Sequence, residues 1–363
     1  MGSDLKERIE YLDVIKGYAM ILVVFCHYVL LPKESVLGNV LMLASWGAVP
    51  CFFMVTGGLM HRKQEFSWRD YVKKLVRTYF ILCTWKIIYF ISYSMLLDGI
   101  QYTKIELIKY VFLFQDIGGV NTGAMWFMYA YLTILLVYPI SFFLFKGGKK
   151  GKVIMIWIAI LCFTSSILIT SVNLILEVLC KMVQCDIIDI VEVSKIIPFT
   201  SYSNMVFYFI MGAFILEKRF EISVWIKNRK GWVPSLLVIV GLCGLLLVKR
   251  YLTGSFFWLG IYLDDGYNRL FTMIFAIGGY LLLQNMKDFR VNRVIAKYVG
   301  RETLGIYYLH MLIMEILWKY YGAKVGVHYS LGVNLLKTGI VIVVCVLISR
   351  FMKKIPVMKK MFI

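Results

Sequence analysis

Charge is scarce in this 363-residue chain: 17% of its residues are Asp, Glu, Lys or Arg, against 60% hydrophobic. A soluble globular chain is usually about half apolar and about one quarter charged, so that class is excluded. Acidic residues are scarcer still, 21 against 40 basic, for a formal net charge of +19. In a soluble protein such an excess points to nucleic acid. Here the basic residues sit in short runs between apolar segments, as membrane topology demands, and no nucleic-acid partner is expected. No CxxC, no Walker A loop and no GxGxxG after a strand occurs, which removes the usual signatures of redox and nucleotide-hydrolysing enzymes. There is no long polar linker, repeat of clear period or low-complexity tract, so residues 1–363 are expected to form a single transmembrane domain. The first apolar run lacks a small-residue cleavage site and keeps Asp13, Lys16 and His27, so it is expected to stay as a helix. The opening MGSDLK lacks the Ser or Thr at position six that N-myristoylation prefers.

What is present is a series of apolar runs near the roughly 20 residues that a membrane crossing needs. Ten are read, at about 9–31, 37–60, 75–97, 124–145, 153–171, 199–217, 232–252, 267–284, 302–321 and 331–350. With the N-terminus inside, 27 of the 40 basic residues fall on inner segments, ten on outer ones and three within spans. The expected fold is therefore an all-α, polytopic membrane bundle of about ten transmembrane helices, surrounded by membrane lipid, with both termini cytoplasmic. The longer outer segments, 98–123 and 172–198, mix polarities and read as partly helical caps or re-entrant pieces.

Cysteines carry no metal signature, and no metal is expected. Cys26, Cys51, Cys83, Cys162, Cys243 and Cys345 lie singly in apolar runs, where small apolar packing is the plain role. Cys180 and Cys185 could form a disulfide in an outer segment, though two thiols there are the plainer reading. The first run, DVIKGYAMILVVFCHY, holds the more unusual pattern. At 100° per residue the eleven positions from Lys16 to His27 return the helix to within about 20° of one direction, about 16 Å further along the axis. Asp13 lies on the same face one turn before Lys16. Ionisable groups in a bilayer are costly and usually face a cavity, a partner or a substrate path. An Asp13–Lys16 ion pair with a hydrogen-bonded core histidine is one reading. The other is a lysine holding a phosphate or carboxylate and a neutral imidazole accepting a hydroxyl proton.

Three further stretches bear on that choice. WGAVPCFFMVTGGLMHR (46–62) breaks the second run with Pro50 and carries paired glycines for close helix approach. GAMWFMYAYL (123–132) puts Trp126 and Phe127 at the outer end of the fourth run, where an interfacial aromatic belt is the plain explanation. VGRETLGIYYLHMLIM (299–314) places Tyr307 and His310 three residues apart on one helix face, either as a hydrogen-bonded core pair or lining a path.

In this order, these stretches resemble membrane acyltransferase family 3, in its sugar O-acetylase-like branch. The matching pieces are LDVIKGYAMILVVFCH, FFMVTGGL, the WF at 126–127, and TLGIYYLH. The resemblance implies a multi-pass enzyme of a bacterial cytoplasmic membrane. It would move an acyl group, commonly acetyl, from cytoplasmic acyl-CoA such as acetyl-CoA to a hydroxyl of an extracytoplasmic glycan or lipid-linked sugar. His27 matches the family's catalytic histidine. Lys16 stands where arginine is usual, and a lysine grips phosphate as a point charge rather than as a fork. With Asp13, Trp126, Tyr307 and His310 it is a candidate for substrate binding. Basic residues on the inner flank, Arg62, Arg69, Lys73 and Lys74, are candidates for the CoA phosphates, although topology alone would also produce them. Asp264, Asp265 and Arg269 are candidates for sugar hydroxyls, with loop solubility as the alternative. Two other classes stay open: an amino-acid (serine-like) transporter related to the membrane modules of serine racemases, and a non-catalytic envelope scaffold. Oligomeric state is open as well, a homodimer included.

Overall fold

The structure is a computed structural model that describes residues 8–27, 36–96, 102–184, 202–229, 231–253, 266–286, 289–322 and 330–359. Every regular element is helical, with no strand among the described residues. Each of the ten apolar runs is helical where it is described. Five helical stretches are long and apolar enough to cross a membrane: Val36–His61, Trp68–Met95, Gly123–Lys146, Gly148–Cys180 and Leu331–Met352. Two strongly bent pairs, Arg219–Asn228 with Val233–Lys249 and Leu270–Asn285 with Arg290–Gly300, raise the number to seven if each is one span. The ten expected crossings are thus met in part. Helices α1 (Glu10–Cys26), α9 (Ser203–Glu217) and α14 (Thr303–Leu317) have 17, 15 and 15 residues. The first two are shorter than the roughly 20 that span a bilayer unaided, while α14 runs on through a π-helical turn at Trp318–Gly322.

The second run is broken as its sequence requires, but not at the proline. Helix α2 (Val36–Ser45) stops at a turn over Trp46 and Gly47, and α3 (Ala48–His61) starts beyond it. Pro50 falls in the first turn of α3, where a backbone N–H has no intrahelical acceptor and its loss costs little. A larger difference concerns residues 172–183. They do not cap the bundle but continue the fifth run: α7 (Gly148–Phe163) passes through a π-turn at Thr164–Leu168 into α8 (Ile169–Val183). Glu177, one of the acidic residues that made 172–198 look mixed in polarity, lies within α8, and the hydroxyls of the stretch leading into it bond back to their own helix. Ser166, Thr170 and Ser171 hydroxyls donate to the carbonyls of Cys162, Ser166 and Ile167 at 2.6, 2.8 and 2.6 Å. Residue 185 lies outside the described residues, and with it the Cys180–Cys185 pairing.

By their contacts the residues form two compact units. The first comprises Met1–Gln64, Ile140–Arg301 and Tyr329–Thr338. Its centre is the pairing of α3 with α9, where backbones meet: a Cβ on Gly57 would overlap the Phe209 carbonyl, and one on Gly212 the Met54 carbonyl. The small-residue signal of the second run is realised there. Helix α11 (Val233–Thr253) packs along α12 (Leu270–Asn285). Helix α1 lies against α13 (Arg290–Ile295) and its π-helical continuation Ala296–Gly300.

The second unit comprises Glu65–Pro139, Glu302–His328 and Gly339–Ile363. Helix α4 (Trp68–Leu96) is joined to α14 by the Trp85 and Tyr308 rings, stacked at 4.8 Å, and by the Tyr89 hydroxyl on the Tyr308 carbonyl at 3.0 Å. The short helix expected within 98–123 is α5 (Lys104–Phe112). It opens on a capping box in which the Thr103 hydroxyl accepts from the Glu106 N–H at 3.2 Å and the Glu106 carboxylate accepts from the Thr103 N–H at 2.7 Å. Glu302, just before α14, accepts from Ser349 at 2.8 Å and pairs with Lys353 at 2.6 Å. That ties the end of α15 (Leu331–Met352) to a helix N-terminus that already favours a carboxylate.

Candidate active site

Helix α1 is continuous from Glu10 to Cys26, so the register that places Asp13, Lys16 and His27 on one face holds up to its last turn. At its start Asp13 is buried, 4% exposed, and accepts from two cations: the Lys16 ammonium at 2.8 Å and the Arg8 Nε. The Lys16 contact is the i,i+3 pairing that helix geometry makes available. The Arg8 contact comes from the residue just outside the helix and was read only as part of the charge count. One carboxylate under two cations leaves a surplus positive charge, and the Lys16 side chain keeps 22% of its surface exposed.

The base of α1 is held in place on its other side. A Cβ on Gly300 would overlap the Asp13 carbonyl, and the Tyr18 hydroxyl donates to Asn292 Oδ1 at 2.8 Å. The Asp13 carboxylate thus spends one oxygen on each cation and fixes both in place.

His27 caps α1. Its backbone is still helical, at φ −82° and ψ −11°, and its N–H reaches the Val24 carbonyl at 3.3 Å. The expected run extends to residue 31, whereas the described helix ends at Cys26, with His27 an exposed residue at its end. A base at a helix end can be approached from more directions than one in mid-helix.

Arg269, expected on an outer loop, is buried at 8% exposure just before α12, with its guanidinium 5.8 Å from the centre of the Trp46 indole. Loop solubility is thereby overturned, because an aromatic face from the α2–α3 turn covers the charge. Asp264 and Asp265 lie outside the described residues.

A second histidine of the first unit was not singled out. His61 Nδ1 lies 2.9 Å from the Gly57 carbonyl and Nε2 3.1 Å from Ser141 Oγ, between the Phe145 and Phe209 rings at 5.0 Å each. The carbonyl can only accept, so Nδ1 carries the proton and Nε2 accepts from the serine. Rings on both sides close this buried pair off, and it fastens α3 to α6 (Trp126–Lys146).

In the second unit, Trp126, Phe127, Tyr307 and His310 do come together. Phe127 bridges the others, 6.4 Å from Trp126 and 5.5 Å from Tyr307, and the His310 ring is 6.1 Å from Tyr307. Tyr307 and His310 do not bond each other through their side chains. The Tyr307 hydroxyl donates to the Ala124 carbonyl at 2.7 Å, and His310 Nδ1 sits 2.6 Å from the Tyr307 carbonyl. A proton on His310 Nδ1 leaves Nε2 as the lone-pair nitrogen. Of the inner-flank cations, Arg62 caps α3 in the first unit, while Arg69 and Lys73 stand exposed on the first turns of α4 in the second. Lys74 lies 5.6 Å from the Tyr131 ring centre. Lys86 on α4, the most deeply buried cation among the described residues, was not singled out from the sequence; a single lysine within an apolar run was the available signal.

A family profile described as an acyltransferase domain matches residues 9–351. No curated protein and no solved structure matches the chain significantly. The profile begins at the residue before α1 and ends one residue short of the end of α15, taking in both units with their helical spans; on that match the chain belongs to acyltransferase family 3 and is a membrane acyltransferase.

Proposed function

We propose that the protein is an O-acyltransferase, most simply an O-acetyltransferase, that takes its acyl group from cytoplasmic acyl-CoA and delivers it to a hydroxyl of an extracytoplasmic glycan or lipid-linked sugar. The observation that carries this reading is α1 itself. One unbroken helix has a carboxylate-anchored pair of cations, Arg8 and Lys16, at its start and the imidazole of His27 at its C-cap. The separation from Lys16 to His27 is about 16 Å along the axis.

Each end matches one half of the reaction. Coenzyme A carries several phosphate charges, and the surplus positive charge of Arg8, Asp13 and Lys16 attracts them. Asp13 holds both cations in place while Lys16 keeps exposed surface for a ligand. A sugar hydroxyl attacks a thioester slowly because its proton must leave as the new C–O bond forms. His27 accepts that proton; as the C–S bond breaks, the imidazolium returns it to the departing thiolate. Proton and electrons balance without a metal or a redox partner. A match to an acyltransferase domain also favours group transfer over amino-acid transport.

The test is turnover of radiolabelled acetyl-CoA by purified protein in detergent, with and without a glycan acceptor, beside serine uptake in proteoliposomes. Acceptor-dependent release of CoA supports the proposal. Serine uptake without CoA release would overturn it in favour of transport.

A further inference from the structure

Lys86 is placed as a ligand-binding residue would be. It is fully buried at 0% exposure on α4, ten residues before the helix ends at Leu96. Among the described residues no carboxylate lies within ion-pair distance of its ammonium. Its hydrogen bonds go to the Tyr129 hydroxyl at 3.1 Å and the Gln115 carbonyl at 3.4 Å, both uncharged. Three aromatic rings surround it, Tyr110 with its centre 4.1 Å from Nζ, Tyr129 at 5.7 Å and Phe114 at 5.9 Å. Cation–π attraction offsets part of the cost of burying an ammonium, and an anion would offset far more.

Two further features point to a ligand. The Tyr110 side chain is also fully buried, and its hydroxyl has no hydrogen-bond partner among the described residues. A phenol in that state normally finds a partner, so an orphaned one whose ring faces a lysine is a donor left for a ligand oxygen. Phe114, whose ring stacks on Tyr129 at 5.2 Å, has φ +59°, a left-handed conformation that an aromatic residue adopts at a cost. The segment it belongs to exposes Gln115 and Asp116, and the Asp116 carboxylate is held by the Thr122 hydroxyl at 2.7 Å. The cover over Lys86 is thus a short strained segment, not a helix.

We infer that Lys86, Tyr110 and Tyr129 form an acceptor subsite for an anionic sugar unit, one bearing a carboxylate or a phosphate. Lys86 supplies the counter-charge and the Tyr110 hydroxyl donates to a second oxygen of the same group. A neutral sugar would leave the ammonium with no carboxylate at ion-pair distance, since Asp116 acts on it only from further away, and a cationic one would be repelled. The inference rests on the acyl-transfer reading for the word acceptor, but not for the site itself. The segment carrying Phe114 must lift for a ligand to enter.

The experiment is a binding titration of the purified full chain with glucuronate, inorganic phosphate and glucose at matched ionic strength, read by calorimetry and melting temperature. The variants are Lys86→Met and Tyr110→Phe. Wild type is expected to bind glucuronate or phosphate and not glucose. Preference for glucuronate over phosphate identifies a uronic-acid unit, and the reverse a sugar phosphate. Lys86→Met should weaken the preferred anion by about tenfold or more, as loss of a charged hydrogen bond does. Tyr110→Phe removes an oxygen that has no hydrogen-bond partner among the described residues, so it should fold as wild type yet bind several-fold more weakly. This second variant keeps the test intact if Lys86→Met fails to fold. Equal anion affinity in Tyr110→Phe and wild type, or glucose bound as tightly as glucuronate, overturns the inference. If the anion binds through Lys86 and Tyr110 while acetyl-CoA is not turned over, the acyl-transfer reading fails and the anion site stands.

Discussion

Replacing His27 with glutamine separates chemistry from folding more cleanly than any other change in α1. His27 is an exposed residue whose backbone sits in the ordinary right-handed helical region, and glutamine is close to histidine in size, so it fits the position without backbone strain. Surface substitutions of this kind shift stability by about 0.5 kcal/mol or less. Loss of a general base costs about 10² to 10⁴ in rate, or about 3–5.5 kcal/mol of barrier. The chemical effect should therefore exceed the stability effect by a factor of roughly five or more on these two scales. The assay is acetylation of the acceptor followed by mass spectrometry, normalised to monodisperse protein, with melting temperature measured on the same preparation. His27→Ala should abolish transfer and His27→Gln should fail almost as badly, both with melting temperatures near wild type. Near-wild-type acetylation by well-folded His27→Gln would remove the histidine as the base.

Other expectations follow from the contacts of α1 and α3 and from the charge distribution. Lys16→Met should weaken acyl-CoA binding while Lys16→Arg keeps most of it, and calorimetric titration giving equal affinities for wild type and Lys16→Met would take Lys16 out of the donor site. Asp13→Asn leaves two cations facing a neutral amide, so it should lower stability by about 1–3 kcal/mol, read as a fall in melting temperature. Gly57→Ala drives a methyl group into the Phe209 carbonyl and should destabilise by about 1–3 kcal/mol, whereas Gly279→Ala, with nothing within 4 Å of its Cβ position, should be neutral or mildly stabilising; equal melting temperatures for the two would contradict the close α3–α9 approach. For topology, cysteines introduced as Ser67→Cys and Lys149→Cys should react with an impermeant reagent only from the cytoplasmic side and Asn121→Cys only from outside. Labelling of Asn121→Cys from the cytoplasm would reverse the proposed direction of transfer.

Much of the architecture was legible in the chain because its causes are local. A backbone in lipid must satisfy its own hydrogen bonds, so an apolar run of sufficient length is a helix whatever surrounds it. The Asp13–Lys16 pair was legible for the same reason, since residues three apart on a helix are neighbours by geometry alone. Tyr307 and His310 were placed on one face correctly, but which groups they bond was not readable, because the Ala124 carbonyl that takes the Tyr307 hydroxyl is 183 residues away in sequence. The continuation of α8 through 172–183 was missed because the segment 172–198 was judged as a whole by its acidic residues. Only Glu177 of these falls in the helix, whose other residues up to Val183 are largely apolar.

The sequence by itself therefore determined the helical class, the membrane setting, the glycine-lined approach of the second run and the register of the α1 face. Each of these depends on composition or on neighbours within a turn or two. Tertiary structure alone decided which charges are countered and which are not. Arg269 is buried because an indole from a distant turn covers it, His61 is sealed because Ser141, 80 residues on, and two phenyl rings reach it, and Lys86 is caged by three rings from other parts of the chain. The free energy of a buried charge is set by whatever surrounds it within a few ångströms. In a helical bundle those surroundings come from segments that no local pattern in the sequence connects.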